Sequence, residues 1–573
     1  MMKRIIFIIV AITAFVVSGC EDLLDTRNLY QKDLTNFYRT PTDITEAMGG
    51  VYNALYVGGA HSVEHLAANL LSDLMLGGGG PDDITAKNVD AFLDPTEDTY
   101  RDLWKQTYNG VYRSNAIIEA VAEADYSSYF DSEEEAIDFK NTALGEAYFM
   151  RGFMMYRAAR FFGGMPLILT TDAPRDVARS SFTETWGQIA ADFKMAASTF
   201  PVVDPAATPL DEYGHANIWA AKAYMARTYL FYTGYMTNIE KQATADVPLP
   251  DGSSLTKAEV ISELEDIMTN SHYELTPDFR NLWPYSYVNQ SAGEVVLPWA
   301  ETEGLEWVGQ DGFNSTIGTG NKEVMFAMRY AFGNWGWNEG QKYNNRVPLF
   351  FGIRGNSMIP FGEGWGWGPI HPAFFNGWSD DDPRKIGSVL VMGDADQGTG
   401  GYQSNKGDHE TGLFNKKYSH LQHGGADGTK GMFYYIYNWN NGDPMQLESA
   451  QDFFYLRYAD ILLMHSELTE TATGINAVRA RVDLDPVEYS LENLKRERMY
   501  EFAFEGLRWF DLVRWGDVEN SAMNYFSTEC DVMNSGVAGV YSVSYRAETK
   551  GLLPIPESEI RLSNGVYDQN PGW

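Results

Sequence analysis

The stretch RERMYEFAFEGLRWFDLVRWG, Arg496 to Gly516, mixes ionic and aromatic side chains more densely than a solvated helix needs. On a 3.6-residue period Phe502, Trp509 and Phe510 face inward, and Arg498, Glu501, Glu505, Arg508, Asp511 and Arg514 fall at spacings of three and four that bring opposite charges together. Gly506 breaks or bends the run. Glu501 and Glu505, one helical turn apart, could instead form the acid/base pair of a glycosidase. Arginines at matched spacing hold both carboxylates ionised, however, whereas a general acid needs the opposite shift. The stretch therefore reads as packed helix with an internal ionic lattice.

Two neighbouring stretches share its character. LLPIPESEIRLSNGVYDQNPGW closes the chain, Leu552 to Trp573, and DFFYLRYADILLMHSELTETATGINAVRARVDL, Asp452 to Leu484, reads as two helices with Gly474 between them. Together the three segments resemble the C-terminal signature of the SusD/RagB family, surface lipoproteins of gut and oral Bacteroidetes that capture nutrients for an outer-membrane transporter. Gly565 stands where the family pattern usually has proline, and Trp573 where it has tyrosine. The resemblance implies a tetratricopeptide-like helical scaffold, and delivery of cargo to a SusC-like, TonB-dependent β-barrel partner.

At the other end, Lys3 and Arg4 precede an apolar run from Ile5 to Val17, which is a signal peptide over residues 1–19 and too short to span a bilayer comfortably. VVSGC then resembles a bacterial lipobox, which implies Cys20 as the lipidated N-terminus and residues 20–41 as a tether; an ordinary secretory signal with an incidental cysteine is the alternative. The acidic start CEDLLD is similar to the family's surface-export signal. The expected location is the outer membrane, lipid-anchored and facing outward.

The mature chain is strongly acidic. Whole, it carries 43 basic and 78 acidic residues, a formal −35; losing Lys3 and Arg4 leaves 41 against 78, or −37. That charge opposes nucleic acid and argues mildly against highly anionic ligands. Besides Cys20 only Cys530 remains, so stability comes from packing and not from disulfides.

Helical periodicity covers residues 42–275 and resumes over 446–573, the scaffold of one large mainly α domain, 42–573. In the first part LGEAYFMRGFMMYRAARFFG places Leu144, Gly145, Tyr148 and Phe161 at the offsets of a tetratricopeptide helix pair, with a fainter echo over Ala220 to Gly234. Gly145 lets neighbouring helices approach. GGGGPDD, Gly77 to Asp83, lacks the Lys-Ser/Thr of a phosphate loop and reads as a flexible surface loop. The family resemblance implies that this region lends residues to the ligand site, with Asn69 and Asp73 as candidates. A capping or helix-surface role is the alternative for each.

From about 276 to 445 the character changes to an irregular, loop-rich insertion. Eight of the fifteen tryptophans lie between 283 and 378, where even spacing would place two or three. Glycines flanking tryptophans, as in GNWGWNEG and FGEGWGWGPIHP, cannot build a dense helical core, so some rings should sit on loops as a binding surface. A flat ring takes the C–H face of a pyranose while amides take its hydroxyl rim; covering ~100 Å² contributes roughly 2.5 kcal/mol before ordering costs. The candidates are Trp335, Trp337, Trp283, Trp307, Trp365 and Trp367, with Asn334, Asn338, Gln341, Asn344 and Asn345 as rim partners. Loop-core packing is the competing reading for each tryptophan, most of all for Trp365 and Trp367.

Other constellations weaken on inspection. Asp380 to Asp382 precede Pro383 and Arg384 and read as a turn with a local ion pair. DADQGTG at Asp394 has Thr399 where an EF-hand needs glycine. No HExxH or GxSxG occurs. No metal, cofactor or catalytic residue is expected. The reading is non-enzymatic capture of a glycan at the cell surface. Two rivals are a peptide cargo, as the RagB branch implies, and a helical glycoside hydrolase.

Overall fold

The computed structural model describes residues 37–57, 64–94, 98–174, 176–210, 212–287, 298–331, 343–355, 358, 360–421, 432–437 and 449–573. The signal peptide, Cys20 and most of the tether lie outside these residues, as do Asn334, Trp335, Trp337, Asn338 and Gln341.

The scaffold is a sequential helical array. Helices Arg101–Ala122, Glu133–Phe162, Phe182–Thr199, Ile218–Asn238 and Lys257–Asn270 each pack on the next, with Pro41–Asn53 laid against the first two. Their starts are fixed by local chemistry: Thr40 with Asp43, Ser132 with Glu135, and Ser181 with Glu184 each close a reciprocal capping box. Three glutamates in the first turn of Glu133–Phe162 and Arg160 in its last turn complement the helix dipole, and Gly163, at φ 73°, ends it. A Cβ on Gly145 would sit 2.6 Å from the Phe200 ring, so the tetratricopeptide-like glycine does permit the close approach expected of it. Phe161 is fully buried.

The C-terminal helices complete the array by packing back on it. Tyr458–Thr469 lies on Lys257–Asn270, and Arg508–Trp515 on Ile218–Asn238. Between the two halves, strand Val324–Met328 pairs antiparallel with Phe453–Arg457; every residue of both is buried, which ties the irregular part to the scaffold. The closing residues clamp the end of the long helix: Asn570 Nδ2 donates to Phe162 O and Leu553 O, and Trp573 Nε1 donates to Leu552 O. Gly565 has φ 81°, a backbone that proline cannot adopt, so the departure from the family pattern changes the local turn.

Within Arg496–Gly516 the break falls where expected, between helices Leu491–Glu501 and Arg508–Trp515, at Phe504 (φ 68°) and Gly506 (φ 73°). Phe502, Trp509 and Phe510 are buried. The ionic lattice is real but mostly not internal. Of the expected short-range pairs Asp511–Arg514 forms, at 2.8 Å, while Glu501 and Glu505 find cations on other elements. Arg457 bridges Glu501, Glu505 and Glu323 at 2.5–2.9 Å, Arg481 bridges Glu501 and Glu323, Arg384 reaches Glu497 and Glu501, and Lys417 reaches Glu505. The break at Gly506 destroys the phase on which the internal pairing depended. Burial opposes ionisation of Glu501, but Arg481, Arg457 and Arg384 overcome it and hold the carboxyl well below its usual range. Glu501 and Glu505 are both buried and ion-paired, not an accessible acid/base pair.

Candidate functional site

Of the tryptophans in the insertion, Trp283 and Trp378 are core residues. Trp283 is fully buried against Tyr418 and Phe454, so its ring offers no face to a ligand. Trp378 stacks on Tyr500 at 4.6 Å and donates to Asp382. The aspartate run is the expected turn: Asp382 caps the following helix and holds Arg384 at 2.8 Å.

The glycine-rich stretches GGGGPDD and FGEGWGWGPIHP zip together. Gly79 N–H donates to Gly366 O and Gly368 N–H to Gly77 O, with isolated antiparallel bridges Met75–Ile370 and Gly78–Trp367. Gly77 to Gly80 are buried, so the expectation of a flexible surface loop fails; a Cβ on Gly77 would sit 2.7 Å from Lys87 Cα. Only glycine fits between two backbones this close. Trp367 is buried in this seam against Phe350. Trp365 is half-buried, its carbonyl accepting from Arg354, which also pairs with Asp83 at 2.9 Å.

Asn69 and Asp73 are not at a ligand surface. Asn69 Nδ2 donates to Phe504 O (3.0 Å) and its Oδ1 accepts from Gly506 N–H (3.1 Å); Asp73 accepts two bonds from Arg508. Both are buried, and both serve the turn that opens the last scaffold helix. Asn344 and Asn345 are buried too; Asn345 Nδ2 donates to Gln451 O at 2.6 Å and its Oδ1 accepts from Val347 N–H.

Trp307 is buried as well, only 3% exposed, but it borders a cavity of about 400 Å³ shared with Tyr287, Glu301, Glu306 and Thr319. The short helix Pro298–Thr302 presents Glu301; Gly304, at φ 65°, turns the chain, and Glu306 N–H is held by Asn281 Oδ1 at 2.9 Å. Residues 307–308 then pair with 319–320 through Thr319 N–H to Trp307 O and Gly320 N–H to Val308 O. Trp307 packs edge-to-face between Tyr287 (6.0 Å) and Phe433 (6.2 Å). Its indole Nε1, although buried, meets no hydrogen-bond partner among the described residues. Tyr287 is half-buried and Glu301, Glu306 and Thr319 are exposed. The half-buried Tyr287 ring supplies apolar surface and the exposed carboxylates accept from hydroxyls, groups that suit a neutral polyhydroxylated ligand, while the Trp307 indole is enclosed beneath them. Tyr287, Glu301, Glu306 and Thr319 were not singled out in the sequence. The acidic residues flanking Trp307 were a usable signal; Tyr287 gave none.

A second aromatic group borders residues 332–342. Tyr56 meets Tyr343 at 4.9 Å and Tyr330 at 5.9 Å, and Ala331 N–H donates to Tyr343 O at 2.9 Å, joining the chain on either side of that stretch.

A helical array bearing an aromatic cavity in an irregular insertion defines a class of scaffolded binding protein. Two family models cover most of the chain: the SusD family over residues 309–573, and the family described as starch-binding associating with outer membrane over residues 24–230. The chain belongs to the SusD family. It is 24% identical over 608 aligned positions to SusD-like protein P2 of Formosa agariphila, covering 100% of this chain and 99% of that one. Among solved structures it resembles surface glycan-binding protein A from Bacteroides fluxus (23% identity, 93% of this chain and 100% of that one, TM-score 0.68). Another is surface glycan-binding protein A from Bacteroides thetaiotaomicron in complex with laminarihexaose (19% identity, 93% and 99%, TM-score 0.66).

Proposed function

We propose that this protein is an outer-membrane lipoprotein, anchored through Cys20, that binds a glycan and passes it to a SusC-like TonB-dependent transporter without cleaving it. The observation that carries the reading is the cavity bordered by Trp307, with the half-buried Tyr287 ring and the exposed glutamates. Membership of the SusD family and the glycan named for one structural relative support it. Acidic walls favour a neutral glycan over an anionic one. Trp335 and Trp337, with Asn334 and Asn338, are the second part of the proposed ligand face, since the chain on both sides of them meets at the tyrosine group. The catalytic alternative is disfavoured for Glu501, whose carboxyl arginines hold well below its usual range, and for Glu505, which is buried and ion-paired to Arg457 and Lys417.

Affinity electrophoresis of the protein lacking residues 1–20, in gels containing laminarin, starch or an acidic polysaccharide, tests the reading. Retardation by a neutral polysaccharide is expected. No retardation by any glycan would contradict it and make peptides the next cargo to try.

A further inference from the structure

Arg160 forms no ion pair with a carboxylate among the described residues. Only 6% of it is exposed, and none of its donors meets a hydrogen-bond partner among the described residues; Nε is fully enclosed. Its guanidinium lies over the Phe510 ring at 3.8 Å and near the Tyr156 ring at 4.5 Å, contacts that offset only part of the cost of burying a charge.

Its surroundings are otherwise balanced. Arg227 pairs with Asp460 at 2.7 Å, Arg498 with Asp460 and Asp511 at 2.5 and 2.9 Å, and Arg514 with Asp511 and Glu467 at 2.8 and 2.5 Å. Three arginines thus meet three carboxylates, and Arg160 adds one positive charge that no carboxylate pairs among the described residues, only the C-terminal end of its helix dipole opposing it. Arg160, Arg227, Arg498, Arg514 and Asp511 all line a cavity of about 30 Å³. Since ~10–15 Å³ of such volume holds one water, the space admits one or two atoms of that size and no tetrahedral oxyanion.

We infer that this cavity is a binding site for one small monovalent anion of the halide class, held chiefly by Arg160. A single negative charge there neutralises the cluster and satisfies donors that the protein leaves open. The site is separate from the Trp307 cavity and does not rest on the proposed function. It sits where helix Glu133–Phe162 meets Arg508–Trp515, so the anion would act as a structural pin between the two halves of the scaffold.

Crystals soaked in sodium bromide test the inference by anomalous diffraction. A bromide peak in the cavity beside Arg160 is expected; peaks confined to the outer surface would overturn it. In parallel, bromide titrated at constant ionic strength against gluconate, too large for the cavity, should raise Tm saturably by about 1–2 °C. Arg160→Met should abolish that dependence, and an identical dependence in Arg160→Met would overturn the assignment. Should that variant fail to fold, the bromide crystal decides by itself.

Discussion

Arg508 donates two parallel hydrogen bonds to Asp73, at 2.9 and 2.8 Å, joining side chains 435 positions apart in a site where neither is open to solvent. Tyr525 N–H adds a third bond to the same carboxylate at 3.1 Å. The pair fastens the chain just after helix Glu64–Leu70 to the start of helix Arg508–Trp515, and Asn69 braces the adjoining turn. Removing one partner strands a buried charge. Asp73→Ala should destabilise the protein by about 3–5 kcal/mol, read as a fall in denaturation midpoint. Glycan affinity of the folded protein should be unchanged; a selective loss of binding with normal stability would restore Asp73 to the ligand site.

Asp90 supplies a pH dependence. Burial pushes its carboxyl from 3.8 to about 7, although Tyr541 O–H and Gly77 N–H, both donating to Oδ2, pull the other way. A raised carboxyl contributes stability that is complete below about pH 4 and gone once pH passes about 7. Because both bonds reach one oxygen, Asp90→Asn can keep them without the charge. The variant's stability advantage over wild type should grow by about 2 kcal/mol between pH 5.5 and 8.5 in paired melts. A constant difference would show that Asp90 does not titrate in that window.

Gly145 and Phe200 make a packing prediction. The Cβ of Gly145→Ala would press on the ring at 2.6 Å, which should cost about 1–3 kcal/mol. Combined with Phe200→Leu, the loss should be smaller than the sum of the single losses, and additive losses would separate the two residues.

The helical scaffold was legible because apolar periodicity and capping pairs such as Ser132–Glu135 are local properties of the chain. The ionic stretch at Arg496–Gly516 was recognisably buried, yet its partners were not legible: Arg457, Arg384 and Lys417 arrive from elements that the sequence does not place beside it. The glycine loop misled for a similar reason. Four glycines signal conformational freedom, but here they serve close backbone contact with Gly366 and Lys87. Composition marked the tryptophan-rich region without showing that Trp283, enclosed by Tyr418 and Phe454, and Trp307, packed between Tyr287 and Phe433, are both buried. Exposure of a ring is set by what folds over it.

The central claim is that the Trp307 cavity holds the glycan. Isothermal titration of the polysaccharide or oligosaccharide that retards the wild type, run with Trp307→Phe and Tyr287→Ala, tests it most directly. Trp307→Phe keeps an aromatic ring and removes the N–H, while Tyr287→Ala removes the neighbouring face. Loss of a stacking surface worth about 1.4 kcal/mol weakens Kd about tenfold; that loss is expected in Tyr287→Ala with melting little changed, whereas Trp307→Phe, at a buried ring, reads the packing beneath the site and should lower Tm. Wild-type affinity in Tyr287→Ala would contradict the account and move the site to the face bordered by Tyr56, Tyr330 and Tyr343.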